Sequence, residues 1–183
     1  MLAGAFRDLH GSSLYGFAML VTLGDELAAE RAAGRALAAG AQQATVLRHP
    51  ERAAAWLRAR TLRDLSRWQR RKSIPTLVRR DVLASLGVGD RVYRGLAAMS
   101  MRARGALVAS TVERFTSIDI ETIMSASPGP SRRAVADARA RYLRVVGEEP
   151  GAWPDSPGPP HGELAKRVQA VTGRAMSAGG GIE

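Results

Sequence analysis

Runs of β-branched residues are almost absent from this chain, whereas alanine, leucine and arginine, all strong helix formers, recur throughout. Such a sequence has little from which to build strands, and the expected fold class is all-α. Periodicity agrees. Phe6, Leu9, Leu14, Phe17, Leu20 and Val21 recur at three- to five-residue steps and predict an amphipathic helix over 5–21, bent at Gly11. Gly24-Asp25 punctuates it, and a second, alanine-rich helix is expected over 25–44 with Asp25, Glu26 and Glu30 near its positive end. His49-Pro50-Glu51 opens a third helix that carries Ala53, Trp56, Leu57, Leu62, Leu65 and Trp68.

This third helix concentrates charge. Between Arg58 and Lys72 stand Arg58, Arg60, Arg63, Arg67, Arg70, Arg71 and Lys72 against the single acid Asp64. The whole chain has 27 Lys and Arg against 17 Asp and Glu, a formal charge of +10. That balance predicts attraction to polyanions, nucleic acid first among them. The alternative, charge that only maintains solubility, would spread the arginines evenly instead of clustering them.

Pro75 and the glycines at 87 and 89 frame a stretch over 73–89 that reads as a linker, with a short apolar segment able to form a short helix of its own. Two small helical domains are therefore expected, over 1–72 and 90–146, followed by a Pro/Gly-rich tail over 147–183 with one further helical segment at 163–176. The second domain should contain helices over 90–99, 101–114, 117–124 and 128–146. Ser127 can cap the last of these, with Pro128 at its first position.

The segment from Ser117 to Leu143 has the spacing of a helix-turn-helix: a short helix, a three- or four-residue turn, and a helix bearing Arg132, Arg133, Arg139, Arg141 and Arg144. In that motif one helix braces across the DNA backbone while the next presents its N-terminal side chains to the major groove. Ser131, Arg132, Arg133 and Asp137 are the groove-facing candidates. A surface helix with solvated arginines would have the same spacing. On the earlier basic helix the arginines suit phosphates, and an exposed Trp68 could stack on an unpaired base. Trp56 reads as core.

Enzyme chemistry finds no foothold. His10, His49 and His161 are far apart, no neighbouring Asp, Glu or Ser gives a catalytic or metal spacing, and Cys is absent. No cofactor or metal is expected. Arg7, Asp8, His10 and Ser12 interrupt the apolar residues of the first segment, so neither a signal peptide nor a membrane span is expected there, and the protein reads as cytoplasmic.

Taken in order, Phe6-Arg7-Asp8-Leu9, Leu14-Tyr15-Gly16-Phe17-Ala18, Gly24-Asp25-Glu26-Leu27-Ala28 and Ala55-Trp56-Leu57 running into Arg70-Arg71-Lys72 resemble region 2 of the extracytoplasmic-function sigma factors. Arg94-Gly95-Leu96-Ala97-Ala98-Met99 and Arg102-Ala103-Arg104-Gly105-Ala106-Leu107-Val108 resemble the opening of region 4 in that family. Asp119-Ile120, Ile123-Met124, Ser127-Pro128-Gly129 and Ala138-Arg139-Ala140-Arg141 follow its helix-turn-helix. The resemblance spans about residues 5 to 146 and implies a promoter-specificity subunit of RNA polymerase.

By that resemblance Asp25, Glu26 and Glu30 would lie near a contact with the β′ clamp helices of core polymerase. Arg63, Arg67, Trp68, Arg70 and Arg71 would lie near the minus-ten element, and Arg132, Arg133 and Arg139 on the minus-thirty-five element. Region 4 would also meet the β flap, and an anti-sigma protein is a further implied partner. The chain departs from the family at the elbow: Glu121 replaces an alanine, Ser125 the turn glycine, and Ser131 a valine. Arg63 replaces an asparagine in region 2, and Glu30-Arg31-Ala32-Ala33 replaces an Asp-Leu-Val-Gln-like stretch. A looser elbow is expected, and with it a second reading: a sigma-derived regulator that binds DNA or polymerase without full initiation activity.

Overall fold

A computed structural model describes residues 2–43, 49–68 and 76–147. Among these residues every regular element is helical: α1 (Leu2–Thr22), α2 (Glu26–Gln42), α3 (Pro50–Trp68), α4 (Thr76–Ser85), α5 (Asp90–Ala97), α6 (Met101–Leu107), α7 (Ser117–Met124) and α8 (Pro128–Val146). A π-helical turn, Val108–Val112, continues α6. Arg70, Arg71 and the tail from residue 148, with its expected helix at 163–176, lie outside the described residues.

Helix α1 runs unbroken through Gly11 and buries Leu14, Phe17, Ala18, Met19 and Val21. Its end is a Schellman turn, in which Gly24 N–H donates to the Met19 carbonyl at 2.9 Å and Leu23 N–H to the Leu20 carbonyl at 3.3 Å. Gly24 has φ of +81° and lies against the Arg79 carbonyl, so a side chain there would be strained and would clash. Asp25 then starts α2 by accepting from Ala28 N–H at 3.1 Å. The alanines Ala29, Ala32, Ala33 and Ala36 let α2 approach α1 closely, as small residues do.

The stretch expected as a linker contains α4, which buries Leu83 and, just past its end, Leu86 against the rest of the protein. The two halves of the chain pack together. One continuous core runs from Phe6 through Leu57 and Leu83 to Ile123 and Tyr142. Helix α3 lies against α7, and α1 lies against α6.

Three arginines join those halves. Arg58 of α3, 2% exposed, donates from Nε to Glu113 at 2.7 Å, from a second nitrogen to the other Glu113 oxygen, and to the Ala54 carbonyl at 3.1 Å. Its guanidinium carbon lies 4.8 Å from the Phe115 ring centroid and 5.7 Å from that of Phe17. Arg104 of α6 donates to the Val21 carbonyl of α1 at 2.7 Å and to the Met99 carbonyl at 2.7 Å. Burial, reinforced by Arg79, lowers its pKa to about 10, still charged at neutral pH. Arg79 of α4 pairs with Asp25 at 3.2 Å.

The expected helix over 101–114 is interrupted, because the chain widens into the π turn after Leu107. Ser110 and Thr111 hydroxyls both donate back to the Leu107 carbonyl. Glu113 N–H reaches the Val108 carbonyl five residues back, at 3.1 Å. Arg114 follows at φ of 55°. The extra residue in the turn changes the phase of the helix and delivers Glu113 and Phe115 to Arg58.

Glu113→Gln leaves the Arg58 charge buried without a counterion and should lower folding stability by about 3–5 kcal/mol, whereas Arg58→Met with Glu113→Leu should lose markedly less; urea unfolding in a double-mutant cycle measures both. His10, buried edge-on to Phe6 with ring centroids 4.8 Å apart, has its imidazole held below the ordinary 6.5 by burial and by Arg58. The unfolded chain therefore takes this proton first, and stability should decline as pH falls below 6.5, levelling once the folded imidazole also protonates. His10→Gln should remove that component from the urea midpoints measured across the range.

Candidate nucleic-acid interface

The helix-turn-helix spacing folds as expected into α7, a short turn and α8. Thr116 and Asp119 form a reciprocal capping box at the start of α7, with Asp119 N–H donating to the Thr116 hydroxyl at 3.3 Å and Thr116 N–H to the Asp119 carboxylate at 3.3 Å. Ile120, Ile123 and Met124 of α7 and Ala138, Tyr142 and Val146 of α8 are buried in the shared core. Helix α5 closes the other side. Gly95 permits that approach, since a Cβ there would stand 2.5 Å from Tyr142 and 2.6 Å from Val146. Arg91 donates to the Val146 carbonyl at 2.8 Å and so caps the end of α8.

The elbow is held by means other than those of the resembled family. Ser125 takes the left-handed conformation (φ 47°, ψ 51°) where a glycine would do so without strain. Its N–H donates to the Thr122 carbonyl and Ala126 N–H to the Glu121 carbonyl, both at 3.1 Å, a Schellman turn. Arg102 of α6 donates to the Met124 carbonyl at the same helix end. Ser127 occupies the N-cap position of α8, but its side chain makes no capping bond; Pro128 at the first position leaves one fewer N–H to satisfy.

Ser131 corrects one expectation. It is 2% exposed, and its hydroxyl donates to the Ala126 carbonyl at 3.2 Å, so it faces the elbow and not the solvent. Its hydroxyl thus bridges the turn, work that its sequence position alone did not reveal. Arg132, Arg133, Asp137 and Arg139 are all exposed, as are Arg141 and Arg144. Five arginines on α8 therefore accompany a single acid, Asp137, and none of the five has an ion-pair partner among the described residues. A helix left with that much uncompensated charge, projecting from an elbow, can neutralise phosphates or grip guanine edges.

The basic helix α3 divides differently. Arg58 is consumed in the core and Arg60 leans on Asp64 at 3.6 Å, leaving Arg63 and Arg67 exposed on the described part of the helix. Arg63 lies on a small cleft shared with Ser66, Arg102 and Ser125, so this face borders the elbow. Trp56 is half-buried against the core, as read from sequence. Trp68 ends α3, and Arg70 and Arg71 fall beyond the described residues.

Asp25 is occupied by its cap and by Arg79, which makes it a structural residue as well as a surface one. Glu26 and Glu30 are half-buried on α2 and have interactions of their own, with Leu27 49% exposed between them. Among the described residues no three His, Asp or Glu side chains are placed to hold a metal ion, and no helix is long and apolar enough to cross a membrane.

The left-handed Ser125 yields a test of the elbow. Ser125→Gly should remove about 1–2 kcal/mol of backbone strain while adding about 0.5–1 kcal/mol of unfolded-state entropy, a net stabilisation of about 0.5–1 kcal/mol readable in thermal or urea unfolding. Compared with protein-family models, with curated proteins and with solved structures, the chain matches none of them.

Proposed function

We propose that this protein is a DNA-binding transcription factor of the sigma type, which binds core RNA polymerase and directs it to specific promoters, without being an enzyme itself. The observation that carries the proposal is the unpaired arginine face of α8 on a helix-turn-helix elbow. The order of segments that resembles extracytoplasmic-function sigma factors supplies the polymerase. Arg132, Arg133 and Arg139 are assigned to upstream DNA, Arg63 and Arg67, with Trp68, Arg70 and Arg71, to the minus-ten element, and the Glu26–Glu30 face of α2 to polymerase. A cytoplasmic location accords with these partners.

A second reading, a sigma-derived regulator without full initiation activity, is favoured by the shared core. Elements roughly 25 base pairs apart lie about 85 Å apart at ~3.4 Å per pair. A compact body of this size has a radius of gyration of about 15 Å. So long as α3 stays packed on α7, one molecule covers one DNA site. Reading two sites requires the halves to part.

The triple substitution Arg132→Ala, Arg133→Ala and Arg139→Ala should weaken binding to duplex DNA and, if each arginine meets one phosphate, flatten the log–log salt slope by about 2.7. Fluorescence anisotropy across salt concentrations measures this, and unchanged affinity would count against the interface. Co-purification of the β and β′ subunits from native lysate supports the sigma role; DNA binding without them supports the regulator.

A further inference from the structure

Alongside the arginines of α8 lies an apolar groove of ≈ 510 Å³, between the start of α7, the π turn and α8. Phe115, Ile120, Val135 and Leu143 line it, together with two cations, Arg132 and Arg139, and one acid, Glu121. Nearby, Ile118 is 72% exposed and Val112 37% exposed, so apolar surface continues past the groove onto open solvent. Apolar surface of this kind, bordered by charge, marks a docking site.

The chain continues from Gly147, one helical turn beyond Leu143, into Glu148-Glu149-Pro150-Gly151-Ala152-Trp153-Pro154-Asp155. This segment has three acids, no Lys or Arg, and one large aromatic residue. Basic residues return only later, at Lys166, Arg167 and Arg174. The six residues from Gly147 to Trp153 can span about 20 Å at ~3.3 Å each. From Gly147 the path back along α8 is about 6 Å to Leu143, about 18 Å to Val135 and about 22 Å to Arg132 at ~1.5 Å per residue. Trp153 can therefore reach the groove from Leu143 as far as Val135.

We propose that the segment Glu148–Asp155 of this same chain folds back along α8, seats Trp153 in the groove, and sets its carboxylates against Arg132, Arg139 and their neighbours. A tryptophan buries about 150–250 Å² when enclosed, the largest apolar contribution any side chain offers. Attachment to α8 makes the segment's effective concentration of order mM, so even weak intrinsic affinity suffices. Pro150 and Pro154 lower the entropy lost on docking. The segment would cover the cations assigned to DNA and so act as a built-in competitor for phosphate. That consequence rests on the function proposed above; the docking itself does not.

The absence of cysteine permits a direct test in the full chain. A nitroxide on Asp137→Cys, an exposed position, should strongly broaden the amide signals of Gly151, Ala152 and Asp155 and the indole N–H of Trp153. High salt, or the joint change Glu148→Gln, Glu149→Gln and Asp155→Asn, should restore them. Absence of broadening overturns the proposal. So does broadening seen only when spin-labelled and isotope-labelled chains are mixed, because the occupant is then a second copy. The same acid-neutralised variant, still carrying Trp153, should bind duplex DNA several-fold more tightly. Broadening without that gain keeps the docking and overturns the competition, which separates failure of this inference from failure of the DNA-binding function.

Discussion

The ion pair between Arg58 and Glu113 is the interaction on which the arrangement of the two halves depends. It ties α3 to the segment after the π turn, 55 residues away, in a site walled by Phe17 and Phe115. Burial pushes the Glu113 carboxyl above its ordinary value, against the pull of the Arg58 hydrogen bonds and charge. Such a pair adds little net stability over an apolar substitute, but it tolerates no partial arrangement, because either charge alone would be stranded. It therefore selects one packing of α3 on α7 and excludes slipped ones. Arg104 repeats the logic at the end of α1, where its guanidinium satisfies the Val21 carbonyl that the helix leaves free.

Arginine consequently has two occupations in this protein. Arg58, Arg79 and Arg104 hold helices to one another, where a planar fork with several donors suits carbonyl and carboxylate partners. Arg63, Arg67 and the five arginines of α8 face solvent, where their charge is available to a polyanion. The net charge of +10 thus overstates the static interior contribution and understates the concentration of free charge on one helix. The groove beside that helix gives the same face an apolar component.

The elbow shows how a bend between two helices is built without a glycine. The left-handed position is filled by serine, and the bend is secured by the Schellman hydrogen bonds, by Arg102 on the Met124 carbonyl and by the Ser131 hydroxyl on Ala126. Each of these satisfies a carbonyl left exposed where the chain turns. Serine at 125 and 131 reads from sequence as a looser joint; in the folded chain the joint is built from polar contacts, with Ile120, Ile123 and Met124 buried beneath it.

What the sequence alone determined is whatever short-range chemistry controls: the helical class, seven of the eight helices to within a few residues at most ends, the punctuation at Gly24-Asp25 and Pro128, and the concentration of arginine on α3 and α8. Periodicity and capping act over one or two turns, and they are visible wherever the residues are. Tertiary structure alone decided which arginines are free. Arg58 and Arg63 look alike in sequence, but one meets Glu113 and the other meets solvent, and that difference is made by a π turn and a helix docking from the far half of the chain. Likewise Ser131 belongs to the elbow and Arg132 to the surface, because a helix rotates each successive residue by about 100° and only the packed neighbour determines which side is inside.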